Sequence, residues 1–118
     1  MVDNVKKPAD KPIEEQAREQ TGQQVRLRMD ERNMTTSYAN AFRTNGTAEE
    51  VMLDFGINLV APGQDKDTPE IVFQVNDRVI LNYYSAKRLA ITLSQLIRRH
   101  EDQFGELELD MSKRQKKA

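Results

Sequence analysis

The 118-residue chain has no cysteine, no tryptophan and a single histidine. Without cysteine there are no disulfides and no thiolate metal sites, and a reducing cytosol is favoured. His100 has no second imidazole to share a metal with, so near a helix end it reads as structural or solvent-facing. No window approaches the ~18 consecutive apolar residues of a membrane span. The opening residues, MVDNVKKPADKP, lack the apolar run of a signal peptide. Neither sign of charge dominates: 18 basic residues meet 19 acidic ones, for a net charge of −1 and a pI of about 5.9. Strong sequence-independent nucleic-acid binding needs a net basic footprint, which this balance does not supply.

Apolar residues are also scarce, at 37% of the chain against 31% charged. The deficit sits at the ends. Residues 1–22 hold Pro8, Pro12, clustered glutamines and alternating charges, and read as a disordered arm in which IEEQAREQ forms at most a transient helix. Residues 106–118 read as a flexible charged tail, in which Glu106-Leu107-Glu108-Leu109 alternates as a short strand or a tether. Residues 23–105 form the single domain. A domain that small buries well under ~70% of its chain surface, and its stability is marginal unless it oligomerises.

Within the domain the apolar pattern has period two, then a helical period. Val25, Leu27 and Met29 alternate with Arg26, Arg28 and Asp30, giving a short strand that resumes, after a bulge or bend, over residues 35–43. Asn45-Gly46 is a hairpin signal. Val51, Leu53, Phe55, Ile57 and Leu59 mark a strand over residues 49–61. The odd phase repeats in Ile71, Phe73, Val75, Val79, Leu81 and Tyr83, over residues 70–83. The break at Asn76-Asp77 is a bulge or edge position, or a short hairpin that would make a fourth strand. From Ser85, a plausible N-cap, Leu89, Leu93, Leu96 and Ile97 fall at helical spacing to about Phe104, and Gly105 suits the stop. The predicted fold is α+β: an antiparallel sheet of three or four strands packed by one long C-terminal helix.

No constellation carries chemistry. Asp54-Phe55-Gly56 matches the kinase magnesium motif, but there is no glycine-rich loop, no catalytic-loop motif and no room for a kinase. Asp54, Asn58, Asn76, Asp77 and Asn82 are scattered over strands, whereas acid–base work needs two groups converging in a cleft. A catalytic site, a metal site and a cofactor are therefore not expected, and Gly56 reads as a bulge or close backbone approach.

Two surfaces stand out instead. Met52, Val72, Ile80 and Tyr84 fall on the even phase, so the sheet carries apolar residues on both faces and needs a second cover. A symmetric dimer supplies one. Arg26, Arg28 and Arg43, with Tyr38 among them, are the candidate contacts of a single-stranded nucleic acid. The plain alternative is a wet face salt-bridged to Glu31, Glu49 and Glu50. The expected role is a non-enzymatic protein- or peptide-binding scaffold, cytoplasmic and homodimeric. The rival is a nucleic-acid-binding accessory protein.

Tyr38-Ala39-Asn40, Leu53-Asp54-Phe55-Gly56 and Ala86-Lys87-Arg88-Leu89 with Phe104-Gly105 occur in an order that resembles a small prokaryotic domain-of-unknown-function family, number three-four-six-seven in the usual series. The resemblance covers residues 24–105. Tyr83-Tyr84-Ser85 stands where a Ser/Thr-Pro start is usual. The resemblance implies almost nothing about activity. The order of sheet then helix is also similar, at the level of fold, to export chaperones of the SecB type.

Overall fold

The computed structural model describes residues 10–63 and 67–115, with the backbone alone for residues 10–12 and 115. The sequence readings of residues 1–9, 64–66 and 116–118 lie outside the described residues. The chain divides into two compact units, Met1–Ala86 and Lys87–Ala118.

The first described element is α1, Asp10–Thr21, which includes the stretch for which the sequence allows a transient helix. The Gly22 N–H donates to Arg18 O at 2.7 Å and closes it. Residues 23–40 run without regular pairing, so the strand predicted over residues 25–29 and 35–40 does not form. Alternation in Val25, Leu27 and Met29 describes a chain that is extended but has no neighbour to bond. Asn40 ends this stretch by docking on the sheet: its N–H donates to Gly56 O at 3.0 Å and its Oδ1 accepts from Asn58 N at 2.9 Å.

Three strands follow, β1 Ala41–Gly46, β2 Glu50–Pro62 and β3 Pro69–Asn82, as one antiparallel sheet in the order β1-β2-β3. The β1–β2 turn lies later than Asn45-Gly46 suggests. Gly46 pairs with Val51, and Thr47 N–H donates to Glu50 O at 2.9 Å. The Thr47 hydroxyl oxygen accepts from the Glu49 and Glu50 amides, a threonine turn that outcompetes Asn-Gly. The Tyr83 hydroxyl donates to Thr47 O at 2.7 Å and ties the turn down.

β3 is continuous, which gives three strands among the described residues rather than four. Phe55 pairs with Asp77 and Gly56 with Val75, so Asn76 is the extra residue of a β-bulge. Because partners across an antiparallel pair share a face, the bulge inverts the parity of β3. Val79 and Leu81 share a face with Val51, Leu53 and Phe55. Ile71, Phe73 and Val75 lie on the other face, beside Asp54, Gly56 and Asn58. The unbroken odd phase of the sequence therefore does not make one apolar side.

Gly56 is required at its rung. A Cβ there would strike the Gln74 carbonyl and sit 2.9 Å from the Phe73 ring. The ring of Phe73 leans across the bare glycine, as aromatic side chains do over glycine in sheets.

α2, Tyr83–Phe104, crosses from the first unit to the second. Its N-cap is Asn82 rather than Ser85: Asn82 Oδ1 accepts from the Ser85 N–H at 2.8 Å, three residues on. At the other end Gly105 takes φ 98° and its N–H donates to Glu101 O at 2.8 Å, the left-handed stop anticipated from sequence. His100 is exposed and sits 4.9 Å from the Phe104 ring, centroid to centroid. A short α3, Met111–Gln115, follows, capped by Asp110, whose Oδ1 accepts from Ser112 N. No described helix is long and apolar enough to cross a membrane.

Among the described residues no apolar side chain is fully buried. The α2 stripe stays accessible, Leu93 at 46%, and so do both sheet faces, Phe42 and Val79 on one and Ile71 and Ile80 on the other.

Candidate functional site

The polar focus of the sheet is a row of three side chains, one from each strand. Arg43 of β1 pairs across to Asp54 of β2, and Asp54 pairs across to Arg78 of β3, so all three point to the same face. Arg43 donates to Asp54 Oδ2 through Nε at 3.0 Å and Nη2 at 2.6 Å. Arg78 donates through Nε to Oδ1 at 2.6 Å and through Nη2 to Oδ2 at 3.0 Å. Asp54 is 3% exposed, whereas both arginine side chains remain exposed. The Arg43 guanidinium also lies over Phe73, 5.9 Å from the ring centroid.

Hydrogen bonds from Arg78 and then Arg43 hold the Asp54 carboxyl well below its ordinary value, outweighing the opposing effect of burial. The same contact raises Arg78. A second, local pair joins Arg32 to Asp30 at 2.7 Å on the surface and lowers Asp30 through the Arg32 side chain.

Sequence alone does not reach this row, because a hairpin centred on Asn45-Gly46 sets Arg43 against Ala48. Centring the hairpin on Ala48-Glu49 brings Arg43 opposite Asp54, and the pairing of β2 with β3 adds Arg78. The polar residues scattered over the strands have structural places instead. The Asn58 backbone N–H donates to Asn40 Oδ1, Asn76 is the extra residue of the bulge, and the Asn82 side chain caps α2.

The four residues of the candidate interaction surface do not share one face. Met52 and Ile80 pair directly and lie on the Asp54 face. Val72 pairs with Leu59, beyond the bulge, and faces the other way. Tyr84 stands in the first turn of α2 and is exposed. The candidate nucleic-acid contacts also separate. Arg26, Arg28 and Tyr38 are exposed in the irregular segment, and Arg43 is engaged with Asp54 rather than with Glu31, Glu49 or Glu50. Among the described residues no group of three His, Asp or Glu side chains is placed to hold a metal ion.

Residues 4–109 match the family described as protein of unknown function (DUF3467). The chain belongs to this family. For this DUF3467 protein neither a curated protein nor a solved structure matches. The likeness to SecB-type chaperones accordingly rests on element order alone.

Proposed function

We propose that this protein is a non-enzymatic, cytoplasmic scaffold that binds a protein or peptide and acts as a homo-oligomer, at its smallest a dimer. The supporting observation is apolar exposure on both faces of one three-stranded sheet. Ile80 is 54% exposed on the Asp54 face, and Phe42 and Val79 are exposed on the opposite one. Apolar side chains left open on two faces call for cover from another chain. Contiguous apolar surface beyond a few hundred Å² marks an interaction site in a water-soluble protein. Sedimentation of the wild type at micromolar concentration should give a dimer or larger species. Ile80→Lys should give monomer or unfolded chain, and a clean wild-type monomer would defeat the proposal. Purification from the native cell, with and without nuclease, then identifies what is held.

Nucleic-acid binding has one observation in its favour. Arg26, Arg28 and Tyr38 stand exposed on the same irregular segment, Tyr38 at 76%. It lacks Arg43, which the sheet retains.

A further inference from the structure

Arg43 and Arg78 spend the same edge on Asp54. Each donates through Nε and Nη2. A guanidinium carries five N–H groups, so the Nη1 pair and the second Nη2 hydrogen of each arginine are left over. The side chains are 56% and 52% exposed, whereas the carboxylate between them is sealed. The row sums two positive charges and one negative to +1. On the same face the other acid of the three strands is Glu50, four residues along β2. At ~3.3 Å per residue it lies about 13 Å away, beyond the ~8–10 Å screening length of physiological salt. The neighbouring rungs are apolar in β2 and β3: Met52 with Ile80 on one side, where β1 adds Asn45, and Gly56 with Val75 on the other, where β1 adds Ala41; Phe73, paired with Asn58, lies beyond.

We propose that Arg43 and Arg78 form a docking site for a carboxylate carried on a peptide whose adjacent side chains are apolar. The inference rests on the peptide-binding reading above and names the chemistry of the partner. One carboxylate neutralises the row, whereas a phosphate dianion would over-neutralise it. The apolar pairs Met52–Ile80 and Gly56–Val75 on the two sides suit aliphatic side chains rather than a sugar–phosphate backbone. Asp54 acts as the positioning residue: it fixes both guanidinium planes, so little side-chain freedom remains to be lost on binding.

The test is fluorescence anisotropy on the full chain with a labelled peptide bearing one glutamate between two leucines on each side, beside its glutamine counterpart. The glutamate peptide should bind about tenfold more tightly at low salt, the factor expected of one charge-assisted contact. The margin should shrink as salt is raised. Arg78→Lys keeps the charge but loses the fork, and should erase most of the preference. Circular dichroism checks its fold, and Arg43→Lys replaces it if it does not fold. Equal binding of the two peptides would overturn carboxylate recognition and leave the peptide-binding reading intact. Full preference retained by folded Arg78→Lys and Arg43→Lys would overturn the site. Binding of neither peptide would also overturn the inference, while the scaffold reading stands or falls on sedimentation and co-purification.

Discussion

Asp54 concentrates what single residues contribute here. Its carboxyl titrates below its ordinary value of 3.8 because two arginines hold its charged form. The unfolded chain takes up this proton first as pH falls. The stabilisation is therefore complete above about pH 5, declines as pH drops through 4, and is lost below the folded value. Urea midpoints measured from pH 6 to pH 2.5 should fall in that direction. Asp54→Asn should start lower at pH 6 and follow a flatter course, since it leaves two arginines with no carboxylate between them. Gly56→Ala tests a different constraint. Its methyl group meets the Gln74 carbonyl, which is backbone and cannot rotate away. Equilibrium unfolding should show a loss of ~1–3 kcal/mol, the cost of overpacking.

Among elements, α2 makes a sharp distinction between two neighbouring polar residues. Asn82→Ala removes the side-chain cap and should cost ~1 kcal/mol, whereas Ser85→Ala, which removes no cap, should cost a few tenths at most. Chemical denaturation of the two variants in parallel decides the matter, and the reverse order would restore Ser85 as the cap. This element also shows how far the sequence could be read. Helical spacing from Leu89 to Ile97 and the glycine at 105 are local signals, and the helix and its stop were legible from them. The extents of β2 and β3 were legible for the same reason. Residues 25–29 show the limit: alternation reports an extended chain, while strand pairing depends on a neighbour that alternation does not reveal. The Arg43–Asp54–Arg78 row was illegible because it hangs on register. Misplacing one tight turn by a few residues moves every cross-strand partner. The broken alternation at Asn76-Asp77 marks the bulge, yet which side chains it sets on one face follows only from the pairing itself.

For the whole molecule, the governing fact is that no described apolar side chain is fully buried in one chain. On the proposal that association supplies the missing cover, the melting temperature should climb with protein concentration, as mass action requires when only the folded state assembles. Calorimetry across a hundredfold concentration range should show the shift, and a constant melting temperature would mean the single chain is self-sufficient. Leu93→Ala belongs at this scale too. With Leu93 46% exposed in one chain, the ~2–5 kcal/mol of a buried leucine truncation should emerge only where assembly covers the α2 stripe. The variant should raise the dissociation constant seen in sedimentation and lower the melting temperature most at high concentration.

The extra residue in β3 has a genetic consequence. Loss of a single codon at position 76 would remove the one residue of β3 without a partner and leave every pair in place, Phe55 with Asp77 and Gly56 with Val75. Phe73 would keep its place over Gly56 and Arg43, and both faces would keep their side chains. Such a deletion would take away only the local bend and added twist of the bulge, so the reading frame tolerates a lost triplet here, whereas a triplet lost at a paired position must be absorbed by moving a side chain to the other face.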